Sequence, residues 1–340
     1  MLGLALAFYV AWSIGSNDAA NPTSTAVGGG ALSIRKAVAL FSVFAFLGSV
    51  IQGWMVIKTF GGGIAEIETV LDALAASMAT AFWIIMSSWK GLPISTTHSS
   101  VGAVLGVALA RCLMKGYTGI NYGVLIKVVL SWITSPIGAA LLAAGLYVVI
   151  RYLFARVSDD ARREKFLKAL LIAGLAYSAY AFGANDVGNA TGVYAAVVKA
   201  GGIATGFDYR TAIGLSMLGA AGIALGGFML GPRVIRTVAF RITRLDMTMA
   251  AAAVIANASV VWVYTTIPTM LWGYGMPIST THASVSAVLG VGMAKHGVKG
   301  VNWGVMLKIM LSWLLTVPAA AGIALVFRLI MYSLTGISWG

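Results

Sequence analysis

The stretch GSNDAANPT, residues 15–23, sets Asn17, Asp18 and Asn21 inside an apolar segment that resumes at Thr25. A near copy, GANDVGNAT, occupies residues 183–191. Two further blocks recur in the same order. PISTTHSSVGAVLG (93–106) returns as PISTTHASVSAVLG (277–290), and GINYGVLIKVVLSW (119–132) as GVNWGVMLKIMLSW (300–313). Three blocks in one order mean a duplicated unit. The chain divides into a first repeat over 1–150, a charged linker RYLFARVSDDARREKFLK over 151–168, and a second repeat over 169–340.

Of the 340 residues, 59% are hydrophobic and 10% charged, where a soluble domain carries about a quarter charged. Apolar runs at Ala37–Ile57, Thr69–Trp89, Thr211–Leu230 and Met247–Ile267 reach the roughly 20 residues that a bilayer-spanning helix needs. These features predict an all-α polytopic membrane protein whose first partner is the lipid bilayer. The net charge of +13 falls in short clusters between apolar runs, such as Arg151 to Lys168 and Arg233 to Arg244. In a membrane chain such clusters report topology, so no nucleic-acid partner is expected. The opening MLGLALAFYVAW lacks a basic n-region and reads as a span, not a signal peptide. Cys112 is alone, which excludes an intramolecular disulfide.

Loop charges set the expected orientation. KTFGGGIAEIE (58–68) has one Lys and two Glu, whereas GPRVIRTVAFRITRLD (231–246) has four Arg and one Asp. If basic loops stay cytoplasmic, the second loop and the linker are inside, both termini are outside, and the second repeat is inverted. Inverted repeats with a site at their interface are a common transporter architecture.

Gly, Asn, Asp and Pro disfavour a continuous helix, so both NDxxN segments are expected to break their helices near mid-membrane. Asp18 and Asp186 are costly in hydrocarbon unless a cation accompanies them. With the amide oxygens of Asn17, Asn21, Asn185 and Asn189 they form a hard-ligand set suited to Na⁺. PISTTH puts Ser95, Thr96 and Thr97, and again Ser279, Thr280 and Thr281, after a Pro and before an apolar run. That is the signature of a helix N-terminus, whose free N–H groups and hydroxyls suit a tetrahedral oxyanion. The flanking helices could both cross the bilayer or form a re-entrant hairpin. The hairpin is preferred, because inversion would otherwise put the two PISTTH copies on opposite faces. His98 and His282 read as neutral imidazoles steadying the tips by hydrogen bonds. Asp72 and Asn257 are candidates to support the site. Lys127 and Lys308 read as snorkelling cations, and Trp132 and Trp313 as part of an aromatic belt.

At these motifs the sequence resembles the inorganic phosphate transporter family. The family's duplicated GANDVANA-type signature matches residues 15–22 and 183–190, and its second paired element matches 93–98 and 277–282. The first copy departs at Ser16, and at Pro22 where the second has Ala190. The resemblance implies two inverted repeats, cotransport of inorganic phosphate with Na⁺ or H⁺, and a homodimer. It assigns the six Asn and Asp residues to coupling cations and the two Ser-Thr-Thr triplets to phosphate. A sulfate permease of the same architecture is the nearest alternative, and an uncoupled anion channel a more distant one. A hydrolase is not expected, since no G-x-S-x-G elbow occurs.

Overall fold

The computed structural model describes residues 2–60, 63–200 and 209–336. Part of the acidic loop used above for orientation, residues 61–62, lies outside the described residues. Apart from one isolated bridge between Ala65 and Ile120, the regular structure described is helical.

The chain opens with α1 (Leu2–Asp18), α2 (Ala20–Gly28), α3 (Ile34–Gln52) and α4 (Trp54–Phe60). A helical hairpin follows: α5 (Val70–Trp89), an extended turn, and α6 (Thr96–Lys115). The long α7 (Tyr122–Phe154) ends the first half. The second half repeats the order with α8 (Asp160–Ala200), α9 (Tyr209–Met229), α10 (Gly231–Arg241), a second hairpin of α11 (Met247–Trp272) and α12 (Thr280–His296), and α13 (Trp303–Thr335). Among the described residues, eight of these helices are long and apolar enough to cross a membrane. With its family assignment below, this makes the chain a multi-pass membrane protein.

Side-chain caps start the helices where the sequence supplies them. Asn121 and Asn302 accept the Val124 and Val305 N–H at 3.2 and 3.1 Å, opening α7 and α13. Thr69 and Asp72 form a reciprocal capping box at the start of α5. At 33 residues, α7 and α13 are each about 50 Å long, more than a bilayer core of about 30 Å requires. Their outward faces are apolar: Leu141 is 69% and Leu314 74% exposed.

The hairpins pack crosswise. The α5–α6 hairpin lies on α13, from the other half, and the α11–α12 hairpin lies on α7. This exchange interlocks the two halves.

The expected helix breaks are largely absent. The second motif lies inside α8, which runs unbroken from Asp160 to Ala200. At the first motif only Ala19 separates α1 from α2, and its own backbone stays helical. Pro22 supplies no N–H to the Asp18 carbonyl four residues earlier, which accounts for that interruption. Thr23 and Thr191 return a bond to their own helix, on the Ala19 and Val187 carbonyls, but the four motif asparagines bond to other helices and turns and do not compete for their own backbone. The propensity cost of Asn and Asp, below about 1 kcal/mol each, is then outweighed by packing. The motif glycines serve close approach. A Cβ on Gly183 would fall 2.0 Å from the Ala45 carbonyl oxygen, and one on Gly15 1.9 Å from that of Ile223. Helix α8 therefore touches α3 backbone to backbone, as α1 touches α9.

Candidate functional site

Each NDxxN motif meets both hairpin tips. Asp18 accepts hydrogen bonds from both hairpins: Thr96 Oγ1 at 2.5 Å and Thr281 Oγ1 at 3.2 Å. Asn21 donates to Thr280 and Thr281 Oγ1, both at 3.1 Å. On the other side Asn189 donates to Thr97 Oγ1 at 3.0 Å and to Asp186 Oδ1 at 2.9 Å. The tips touch directly, Thr97 Oγ1 donating to the Ile278 carbonyl at 2.7 Å. All twelve residues singled out from the sequence are buried, at most 2% exposed. The structure brings them into one cluster.

The triplets divide their labour. Ser95 and Ser279 are the N-caps of α6 and α12, accepting the His98 and His282 N–H at 3.1 Å. The threonines are left to face the motifs. The N-termini of α6 and α12 thus point into the cluster, each bringing unpaired backbone donors and a partial positive charge.

Asn17 and Asn185 do a different job. Asn17 donates to Ser88 Oγ at 3.0 Å and the Leu92 carbonyl at 2.9 Å, and accepts the Ile94 N–H at 3.1 Å. Asn185 donates to Thr265 Oγ1 at 2.8 Å and the Met276 carbonyl at 3.0 Å. Each holds the turn of the hairpin belonging to its own half. Here the symmetry fails: Asn185 Oδ1, Asp186 Oδ2 and Asn189 Oδ1 are buried without a hydrogen-bond donor. The Asp18 oxygens and Asn17 Oδ1 all have donors. Oxygen atoms of carboxylate and amide groups, buried and without donors, fit a hard cation such as Na⁺. Among the described residues no Lys or Arg pairs with Asp18 or Asp186. The described residues therefore supply them no counter-charge.

Several expectations change. His98 and His282 do not steady the tips chiefly by hydrogen bonds. Their rings stand edge to face at 4.5 Å, and each lies on a tryptophan, Trp132 at 3.8 Å and Trp313 at 3.9 Å. His282 Nδ1 is 3.5 Å from the Trp132 carbonyl, which Pro136 deprives of its helical donor. Trp132 and Trp313 are thus packing partners of the site, not belt residues. Lys127 does not snorkel freely; its Nζ lies 4.3 Å over the Trp272 ring. Asn257 donates to Ser178 Oγ at 2.9 Å, and Asp72 pairs with arginines; neither touches the motifs. Sequence reasoning missed Ser88, Thr265, Ser100 and Ser284. Ser100 and Ser284 donate to the Asn189 and Asn21 carbonyls at 3.4 and 2.9 Å. They are matched positions of the repeated block, so a signal for them existed. Ser88 and Thr265 had none.

A family model described as the phosphate transporter family matches residues 14–324. The chain belongs to the phosphate transporter family. It is 34% identical to a Pyrococcus furiosus protein provisionally named a phosphate permease, over 97% of this chain and 96% of the relative. It is 31% identical to a Bacillus subtilis protein provisionally named a low-affinity inorganic phosphate transporter, over 90% and 89%. A solved structure titled a sodium-dependent phosphate transporter superposes with a TM-score of 0.84 at 30% identity, over 98% of this chain and all of that one. The family transports and does not catalyse; the chain is not an enzyme.

Proposed function

We propose that the chain is a secondary symporter that couples inorganic phosphate to Na⁺, with H⁺ as the alternative coupling ion. The observation that carries this reading is one cluster containing two helix N-termini, four threonine hydroxyls and two buried carboxylates that have no basic partner among the described residues. Thr96, Thr97, Thr280 and Thr281, with the backbone N–H groups that follow Ser95 and Ser279, hold the phosphate oxygens. Asp186, Asn185 and Asn189 supply oxygen to a cation, and Asp18, Asn17 and Asn21 complete the pair of cation sites once the hairpin tips part.

Coupling follows from charge. Two carboxylates beside an anion repel it, and a bound cation removes that repulsion. Phosphate strengthens cation binding by the same free energy. The two halves are inverted repeats in this reading, with both termini outside and the linker cytoplasmic. The repeated element order and the basic loops support that orientation.

The test is phosphate uptake into proteoliposomes, under an inward Na⁺ gradient or an inward proton gradient, with sulfate as competitor. Na⁺-driven uptake that resists sulfate is the expected result. Flux that ignores both gradients would overturn coupling, and full block by sulfate would overturn the substrate.

A further inference from the structure

The two hairpins are fixed to their supporting helices by very different means. At the base of the α5–α6 hairpin, Asp72 takes Arg328 Nε at 2.7 Å on one oxygen and faces Arg111 at 3.7 Å on the other. All three side chains are 0% exposed. Arg111 also donates to the Glu66 and Thr118 carbonyls at 2.6 and 3.2 Å and pairs with Glu68 at 3.4 Å. This network joins both legs of the hairpin, the loops at its base, and α13. It lies fifteen residues, about 22 Å, along α6 from Thr96.

The duplication shows what stands at the matching places in the second half. The repeated blocks align Arg111 with Lys295, and Arg328 with Tyr147. Among the described residues Lys295 pairs with Asp246 alone, and their side chains are 34% and 42% exposed. Burial works to raise the Asp246 carboxyl, but hydrogen bonds from Lys295 and the Met249 N–H outweigh it and hold it below its ordinary value. The pair is thus ionised at neutral pH, yet wet and weak. Tyr147 supplies no charge to join α7 to this hairpin. Instead Tyr147, Arg151, Asp246, Thr248 and Lys295 line a cavity of about 360 Å³. A second cavity of about 640 Å³ adjoins it, between the ends of α7, α8 and α11.

We infer that Asp72, Arg111 and Arg328 are positioning residues that anchor the α5–α6 hairpin to α13, and that the α11–α12 hairpin is the one that moves. This rests on the transport reading above and gives it a direction. The mobile hairpin swings from α7 at the linker face, where residues of both line the two cavities. Its movement takes Thr280 and Thr281 away from Asp18 and Asn21, while Thr96 and Thr97 stay in place. Substrate then leaves toward the linker side.

The experiment joins the mobile hairpin to α7. In a Cys112→Ser background that keeps uptake, Tyr147→Cys and Lys295→Cys are bridged by a short, cleavable thiol cross-linker. Uptake is expected to fall about tenfold or more on cross-linking and to return on reduction, while radiolabelled phosphate still binds the purified protein. Unchanged uptake with cross-linking complete would overturn the inference. Loss of both binding and uptake in the unmodified chain would sink the transport reading itself. Hydrogen exchange on the unmodified protein tests the anchor separately from transport. Amides at 242–248 and 296–302 should exchange about tenfold faster than those at 64–72 and 111–121. Equal or reversed rates would overturn the assignment.

Discussion

Asp18 and Asp186 occupy matched places in the sequence, yet their side chains differ in what they still lack. Asp18 has a threonine donor on each oxygen, whereas Asp186 Oδ2 has none. Asp186→Asn is therefore expected to act mainly on the cation, raising the Na⁺ concentration for half-maximal uptake. Asp18→Asn should also raise the phosphate KM, because it disturbs the threonines of both hairpins. Each should cut uptake about 100-fold or more, near 2.8 kcal/mol at about 1.4 kcal/mol per tenfold. Ion and phosphate titrations of uptake check the split, and an equal effect of both on each titration would argue against it. Replacing Thr280 and Thr281 together by Val removes two hydroxyls but leaves the Ser279 cap. The phosphate KM should rise about tenfold or more, the loss of a hydrogen bond to a charged group being about 1.5–3 kcal/mol. Unchanged KM with lowered thermal stability would reduce these threonines to structural donors.

At the scale of elements, glycine sets how closely the helices that carry the motifs approach their neighbours. Gly183 and Gly15 bring α8 and α1 onto the backbones of α3 and α9. Gly183→Ala puts a methyl group 2.0 Å from a backbone oxygen that has no rotamer to yield. The helices must separate, at about 1–3 kcal/mol, and Asn185 and Asp186 move with α8. A lower unfolding midpoint in detergent together with weaker Na⁺ dependence is the expected result. Gly322, whose added Cβ would meet nothing within 4 Å, is the control that should tolerate Ala.

For the whole molecule, the crosswise packing of hairpins makes each half depend on the other. The ion network on Asp72 is one such tie, since α13 reaches across to hold a hairpin of the first half. Asp72→Leu would leave Arg111 and Arg328 buried without their shared acid. Breaking a buried pair in this way costs about 3–5 kcal/mol. Unfolding of the purified variant by heat should show that large loss, where Asp246→Leu, at the partly exposed pair, should cost only about the 1 kcal/mol of the helix cap it removes from α11. Equal losses would mean that the two hairpin bases are held alike.

Much of this was open to a reader of the sequence. The duplicated blocks, the apolar runs and the Pro-Ser-Thr-Thr starts depend on local chemistry and on repetition, so they determined an all-helical membrane fold and the twelve residues that now form one cluster, and they favoured two hairpins over two further pairs of plain spans. Helix continuity through GANDVGNAT was not legible, because Asn185 and Asn189 find their partners on other helices. Nor was the role of His98, whose neighbours Trp132 and His282 come from α7 and α12. Asp72, Arg111 and Arg328 are isolated charges in apolar text until the fold lays a helix from the far end of the chain against both legs of the first hairpin. A sequence states which groups need partners. Which partner each one receives depends on contacts between residues far apart in the chain, and those only the tertiary structure decides.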